Sequence, residues 1–129
     1  MMSTILIIDD NKAYREDLIE LLNLEGYIVL EAENGLLGLQ IIRHYMPDLI
    51  LCDVDMPVMD GVELLENIKK DPKLSMIPFL ILSGGTDERA IKIAKDLEAG
   101  AYLTKGLSIS DLLSKIAHFL TPTIPPLKT

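Results

Sequence analysis

The chain has 129 residues, of which 49% are hydrophobic, and carries a formal net charge of −8 at pH 7. This length fits one compact domain, and the acidic balance opposes direct contact with nucleic acid or with an anionic membrane surface. A single cysteine cannot form an internal disulfide, and the opening apolar run is too short for a signal peptide or a membrane span. We therefore expect a cytoplasmic globular domain.

Short apolar runs alternate along the chain with longer segments of helical periodicity. The apolar runs predict strands at about residues 4–8, 27–31, 49–53, 78–82 and 101–103. The intervening segments predict helices from Lys12 to Glu25, from Asn34 to about Met46, from near Gly61 to near Asp71, from Thr86 or Asp87 to between Glu98 and Gly100, and from Ser108 to Leu120. Repeated βα units imply right-handed crossovers, so the predicted fold is a three-layer α/β sandwich with a doubly wound, five-stranded parallel sheet and five helices.

The domain is predicted to occupy residues 1–120. The last nine residues, 121–129, include Pro122, Pro125 and Pro126 and cannot continue the fifth helix. We expect them to form an extended, proline-rich tail or the stub of a linker.

Polar side chains follow four of the predicted strands, close to the point where each strand ends. Asp9 and Asp10 follow the first strand, Asp53 ends the third, Ser83 follows the fourth, and Lys105 comes shortly after the fifth. Because the carboxyl ends of parallel strands meet at one crevice, we expect these side chains to share a pocket.

Such a pocket has the groups that phosphoryl transfer requires. Attack by the Asp53 carboxylate on a phosphorus atom surrounded by anionic oxygens needs a divalent cation, which Asp10 and Asp53 can bind. Mg²⁺ suits such a site because it prefers oxygen ligands and often uses one or two carboxylates, and Mn²⁺ can substitute for it. Lys105 can pair with one phosphoryl oxygen and the Ser83 hydroxyl can donate to another.

In this order and spacing, these residues resemble a response regulator receiver domain of bacterial two-component signalling, over residues 3–120. The resemblance is carried by Asp9 and Asp10, by Asp53 within the segment from Leu51 to Gly61, by Ser83, and by Tyr102 three residues before Lys105. It implies a flavodoxin-like sheet with strand order 2-1-3-4-5. Among receivers, the chain is similar to stand-alone regulators of the chemotaxis or phosphorelay type.

The resemblance also implies a role for each site residue. Asp53 would accept a phosphoryl group from a sensor histidine kinase or a histidine-phosphotransfer protein, which makes the chain a phosphoprotein rather than a conventional enzyme. Asp55 would offer its backbone carbonyl to the metal, and Asp9 would act chiefly through water. Phosphorylation would draw Ser83 inward and Tyr102 after it, changing the face of the fourth helix, fifth strand and fifth helix for a downstream protein partner.

Three features depart from the usual receiver pattern. Gly106 stands where the family usually has a proline preceded by a cis bond, so we expect a trans bond and a more mobile loop after Lys105. Gly84 and Gly85 remove side chains that would shield the acyl phosphate. Gly100 and Ala101 run directly into Tyr102, whereas receivers commonly have two further residues in between, which predicts an extended fourth helix and a shortened turn.

Two other functions are compatible with parts of this pattern. The segment from Asp53 to Asp55 also resembles the first motif of haloacid dehalogenase phosphohydrolases, in which Asp53 would attack and Asp55 would act as acid and base. The altered loops at Gly84 and Gly106 are also compatible with a pseudo-receiver that only binds partners. Labelling by acetyl phosphate with Mg²⁺, or turnover of a phosphate ester, would separate these functions from a competent receiver.

Overall fold

The structure is a computed structural model that describes residues 2–121. Its strands are β1 (Thr4–Ile8), β2 (Ile28–Ala32), β3 (Leu49–Cys52), β4 (Phe79–Ser83) and β5 (Ala101–Thr104). Its helices are α1 (Lys12–Leu24), α2 (Gly35–Tyr45), α3 (Gly61–Lys69), α4 (Glu88–Asp96) and α5 (Ile109–Leu120). No helix in this part of the chain combines the length and the apolar character needed to cross a bilayer.

The five strands form one parallel sheet in the order β2-β1-β3-β4-β5. This order and the alternation of strands and helices confirm the predicted flavodoxin-like α/β fold. The boundary at residue 120 stays a prediction, because residues 122–129 of the predicted tail lie outside the described residues.

Two hydrophobic clusters, one on each face of the sheet, explain why the strands are apolar almost without interruption. Along β1, Ile5 and Ile7 join the cluster beneath α1 and α5, while Leu6 and Ile8 join the cluster beneath α2, α3 and α4. Successive strand residues point to opposite faces, so a sheet covered on both sides needs apolar residues at every position. Each such buried aliphatic side chain stabilises the fold by roughly 1.5–3 kcal/mol.

Every helix begins at a polar residue whose side-chain oxygen accepts a backbone N–H three residues later. The capping residues are Asn11, Asn34, Asp60, Asp87 and Ser108. Each cap contributes about 1 kcal/mol by satisfying an otherwise unpaired N–H. The N-cap of α1 is therefore Asn11 and not one of the two preceding acids.

The prediction of an extended fourth helix is wrong, because α4 ends at Asp96. Glu98 adopts a left-handed conformation with φ of 57°, and its N–H donates to the Lys95 carbonyl. The N–H of Ala99 then donates to the Ala94 carbonyl at 2.8 Å, which completes a Schellman motif. The residue that ends the helix in the left-handed conformation is therefore Glu98 and not a glycine. Without a glycine at that position, the sequence does not indicate where the helix ends.

Candidate functional site

The acidic residues of the site lie at the carboxyl ends of the two central strands. Ile8 of β1 pairs with Cys52 of β3, so the residues that follow them, Asp9 and Asp53, come out side by side. The backbone N–H of Asp53 donates to the Ile8 carbonyl at 2.9 Å and fixes this arrangement. Sheet register alone therefore places two carboxylates in contact range.

Asp9, Asp10 and Asp53 form a group in which each offers a carboxylate oxygen within 4.8 Å of the others. Asp9 and Asp53 are buried, with relative exposures of 3% and 8%, while Asp10 is exposed. The N–H of Asn11 donates to Asp9 Oδ1 at 2.9 Å, and the N–H of Val54 donates to Asp53 Oδ1 at 2.8 Å. An all-oxygen group, partly buried and open on one side at Asp10, fits a hard divalent cation such as Mg²⁺.

Lys105 reaches into this acidic group from the loop after β5. Its Nζ lies 2.7 Å from Asp9 Oδ2 and 3.5 Å from Asp53 Oδ2. Its backbone N–H donates to the Ser83 carbonyl at 2.7 Å, which ties the loop to the end of β4. The structure thus brings the carboxylates of Asp9, Asp10 and Asp53 together with the Lys105 amine, and it places Ser83 at the end of the neighbouring strand β4. The role of each group stays a prediction.

The electrostatics of the pocket favour a cation. Burial raises the pKa of Asp53, and the neighbouring charge of Asp9 raises it further, against the opposing effect of Lys105 and the Val54 N–H. Burial lowers the pKa of Lys105, but its hydrogen bond to Asp9 and the charge of Asp53 outweigh that effect, so the net pKa is raised. Both pKa shifts have the same direction: the pocket favours the protonated, positively charged Lys105 and disfavours the ionised, negatively charged Asp53.

Ser83 and Tyr102 occupy the neighbouring strands β4 and β5. Ser83 is buried, and its hydroxyl accepts a long hydrogen bond of 3.4 Å from the Gly85 N–H. Tyr102 packs against the cluster beneath α4, and its hydroxyl is buried without a hydrogen-bond partner among the described residues. The Tyr102 ring is thus already turned inward here, whereas the predicted switch moves it inward only on phosphorylation.

The loop between β3 and α3 packs closely on the backbone of Asp53. Gly61 donates its N–H to the Val54 carbonyl at 2.9 Å, and a Cβ at this glycine would collide with the Asp53 carbonyl oxygen. Asp55 is exposed and lines a cleft between α3 and α4, apart from the group of Asp9 and Asp53. The predicted role of its backbone carbonyl as a metal ligand stays a prediction.

The glycines that depart from the family pattern leave open space around Lys105. A Cβ at Gly84 would come no closer than 4.0 Å to Lys105 Cδ, and a Cβ at Gly85 would meet nothing within 4 Å. The bond between Lys105 and Gly106 is trans, as predicted, and a Cβ at Gly106 would have only Thr104 Oγ1 near it, at 3.8 Å. The Lys105 side chain is therefore sparsely packed on the side of Gly84.

Two residues near the site were not predicted from the sequence. The ring of Tyr14, in the first turn of α1, lies 4.4 Å from Lys105 Nζ. Arg15 donates from Nη1 to the Asp9 carbonyl at 2.7 Å and pairs through Nε with Glu31 at 2.8 Å. The helical spacing did carry a signal for Tyr14. Tyr14 stands four residues before Leu18, which α1 buries, so both side chains lie on the same face of the helix.

Comparison with known proteins identifies the family to which the chain belongs. Residues 5–117 match the model of the response regulator receiver domain. Sporulation initiation phosphotransferase F of Bacillus subtilis is 33% identical over 120 residues, which cover 93% of this chain and 95% of that protein. The chain spans only 8% of histidine kinase P4 of Formosa agariphila, at 38% identity, and 54% of the transcriptional regulatory protein PdtaR of Mycobacterium tuberculosis, at 36% identity.

Solved structures agree with this assignment. A CheY-like receiver domain protein from Methanospirillum hungatei superposes with a TM-score of 0.86 at 31% identity and covers 93% of this chain and 94% of that one. The phosphorylated cyanobacterial phytochrome response regulator RcpA superposes with a TM-score of 0.82 at 32% identity and covers 98% of this chain and 100% of that one. The chain therefore belongs to the response regulator receiver domain family of two-component signalling.

Proposed function

We propose that this receiver domain is a phosphoacceptor, and that Asp53 takes a phosphoryl group from a phosphohistidine on a sensor histidine kinase or a histidine-phosphotransfer protein. The proposal rests on one observation: Asp9, Asp10, Asp53 and Lys105 lie close together at the carboxyl ends of the strands. Cytoplasmic location and the absence of direct contact with nucleic acid or membrane belong to the same proposal, on the ground of net charge.

The acceptor oxygen is Asp53 Oδ2. Oδ1 is already held by the Val54 N–H, whereas Oδ2 faces Lys105. In the transfer, Oδ2 forms a bond to phosphorus while the phosphorus–nitrogen bond to the donor imidazole breaks, and the electron pair of that bond stays on the imidazole nitrogen. Lys105 pairs with a phosphoryl oxygen, and the Ser83 hydroxyl donates to another once it leaves its long contact with Gly85.

Asp10 and Asp53 would bind Mg²⁺ directly, with Asp9 acting through water and Asp55 through its carbonyl. When bound, the cation neutralises the charge that develops on the phosphoryl oxygens. The buried carboxylates and their backbone donors hold the acceptor oxygen in place, which lowers the cost of orienting it for attack. Mn²⁺ would support the same reaction.

The signal leaves through a protein partner that binds the surface of α4, β5 and α5. Arg89, Lys92 and Lys95 are exposed on α4, and a shallow pocket of about 200 Å³ lies between Ile91 of this helix and Tyr102. Movement of Ser83 toward the phosphoryl group would change the packing of the Tyr102 ring, whose buried hydroxyl has no hydrogen-bond partner among residues 2–121. A coupling of about 1–3 kcal/mol would change partner affinity roughly 5- to 150-fold.

An NMR comparison with and without a beryllofluoride phosphoryl mimic tests this output route. Chemical-shift changes should concentrate in residues 83–106, because these residues link Ser83, α4 and β5. Changes confined to residues 12–45, on the other side of the domain, would refute it.

Intact-mass spectrometry after incubation with acetyl phosphate and Mg²⁺ tests the acceptor itself. Wild type and the exposed-site control Asp96→Asn should each gain the mass of one phosphoryl group, while Asp53→Asn should gain none. Excess chelator should abolish the gain in wild type. Labelling of Asp53→Asn at the wild-type rate, or labelling of wild type in chelator, would contradict the proposal, and release of phosphate from a generic ester would favour the hydrolase instead.

A further inference from the structure

The aromatic ring of Tyr14 forms one wall of the space that holds the Lys105 side chain. Lys105 Nζ lies 4.4 Å from the centre of the ring, within the roughly 6 Å over which an ammonium group is attracted to an aromatic face. Tyr14 is half-buried and packs against the cluster beneath α1 and α5, which contains Leu18 and Leu112. The ring is therefore fixed from below and offers Lys105 a rigid surface.

The loop that carries Lys105 gives its side chain little other neutral support. Gly84 leaves open space beside it, because an added methyl group there would come no closer than 4.0 Å to Lys105 Cδ, and Gly106 has no side chain to offer. A lysine side chain has several rotatable bonds, so its ammonium group needs contacts to stay in one place. The contacts of Nζ within residues 2–121 are Asp9, Asp53 and the Tyr14 ring.

These three contacts differ in what happens to them during the proposed reaction. Asp9 and Asp53 belong to the group that would bind the cation and accept the phosphoryl group, so their charges are redistributed when either arrives. The Tyr14 ring is neutral and takes no part in that chemistry. It is the contact that persists while the ammonium group moves between carboxylate and phosphoryl oxygens.

We propose that Tyr14 is a positioning residue that keeps Lys105 Nζ directed at Asp53 Oδ2 and at a phosphoryl group arriving there. This inference rests on the proposed role of Asp53 as phosphoacceptor. Gly106 has no side chain that could pack against Lys105 from the loop. The Tyr14 ring packs against the Lys105 ammonium group from the side of α1 instead. It acts through the face of the ring, so the phenol hydroxyl is not required.

The test compares Tyr14→Leu with Tyr14→Phe, and uses Tyr45→Leu, an exposed tyrosine at the end of α2, as the control for loss of an aromatic ring. Protons next to Lys105 Nζ lie over an aromatic face and should resonate upfield in the NMR spectrum of the apo protein. Tyr14→Leu should abolish that upfield shift and slow labelling by acetyl phosphate with saturating Mg²⁺ about three- to tenfold. Tyr14→Phe should restore both, and Tyr45→Leu should change neither.

A double-mutant comparison separates positioning of Lys105 from a general structural effect. In a Lys105→Met background, adding Tyr14→Leu should produce no further loss of labelling rate, because its target is already gone. The proposal is overturned if Tyr14→Leu is labelled at the wild-type rate, or if Tyr14→Phe is labelled as slowly as Tyr14→Leu. It is also overturned if Tyr14→Leu slows labelling by the same factor in the Lys105→Met background as in wild type. Absence of label on wild-type Asp53 would instead overturn the proposed function, while the upfield shift would still report the contact between ring and ammonium.

Discussion

The ammonium group of Lys105 pairs most closely with Asp9, at 2.7 Å from Oδ2, rather than with Asp53, which lies 3.5 Å away. Asp9 is almost fully buried, and an unpaired carboxylate in that position would be costly. Lys105 thus neutralises the acid group in the same place where a divalent cation would do so. In the proposed function, a bound cation would weaken this ion pair, because both positive charges would interact with the same group of carboxylates.

The first prediction follows from this competition. Lys105→Met should strengthen Mg²⁺ binding about three- to tenfold, because it removes a positive charge beside the cation site and frees the Asp9 carboxylate. Isothermal titration calorimetry measures the affinity directly, and the chain contains no tryptophan to follow by fluorescence. Lys92→Met, on the exposed face of α4, is the control and should leave the affinity unchanged. An unchanged or weaker affinity in Lys105→Met would contradict the competition.

The second prediction concerns stability and pH in the presence of chelator. Burial and Asp9 raise the pKa of Asp53 above its ordinary value of 3.8, so the folded protein binds this proton more tightly than the unfolded chain. The contribution of Asp53 to the free energy of unfolding therefore falls as pH rises from 3.8 through the raised pKa, and its ionised form remains destabilising at neutral pH. Asp53→Asn should be more stable than wild type at neutral pH, and the difference should vanish in acid.

Urea denaturation across this pH range, with Asp17→Asn as an exposed-carboxylate control, measures the effect. Adding Mg²⁺ should raise the free energy of unfolding of wild type, because a cation bound only by the folded state contributes its binding free energy. The difference in the free energy of unfolding between wild type and Asp53→Asn should then shrink or change sign. If wild type is more stable than Asp53→Asn in chelator at neutral pH, the ionised Asp53 carboxylate does not destabilise the fold, and the prediction is wrong.

The third prediction tests the end of α4. Glu98→Gly should raise the free energy of unfolding by about 1 kcal/mol, because glycine adopts the left-handed conformation of this exposed position without steric cost. The matched control is Glu25→Gly at the end of α1, where the backbone φ of −82° already suits any residue. Thermal or urea unfolding should show a gain at position 98 and none at position 25. A loss at position 98 would mean that the Schellman geometry there is not maintained.

The parts of the fold that follow from local pattern were predicted from the sequence. Apolar runs at every strand position identified a sheet covered on both faces, and polar residues such as Asn34 and Ser108 identified helix starts, because both signals are local in the chain. The meeting of Asp53 with Lys105 was also predicted, since parallel strands bring their carboxyl ends together.

The features that escaped prediction depend on packing between elements distant in sequence. Helical spacing places Tyr14 on the buried face of α1, but no local pattern in either segment indicates that Lys105 will lie against that face. Likewise, the left-handed turn at Glu98 lies where the chain returns from α4 to the sheet, and there the Gly100 N–H donates to the carbonyl of Phe79 in β4. Periodicity does not report which residue will bear such a turn.

The fourth prediction concerns the lifetime of the acyl phosphate. Gly84→Ala should lengthen it about two- to fivefold, because a methyl group there would lie 4.0 Å from Lys105 Cδ and exclude water from the phosphorus. Gly85→Ala is the control: the sequence predicts that both glycines reduce the shielding, but in the structure a methyl group at position 85 would meet nothing within 4 Å. Decay of the labelled protein, followed by mass spectrometry after removal of the donor, gives the half-life. A half-life for Gly84→Ala no longer than that of wild type would remove the shielding argument.

The fifth prediction, and the most direct measurement of the central claim, is the identity of the modified side chain. Wild-type protein is labelled with acetyl phosphate and Mg²⁺, reduced with borohydride to convert an acyl phosphate into a stable alcohol, digested and sequenced by mass spectrometry. The account predicts homoserine in place of Asp53 and unmodified aspartate at positions 9, 10 and 55. Reduction at one of those three aspartates, with Asp53 intact, would contradict it.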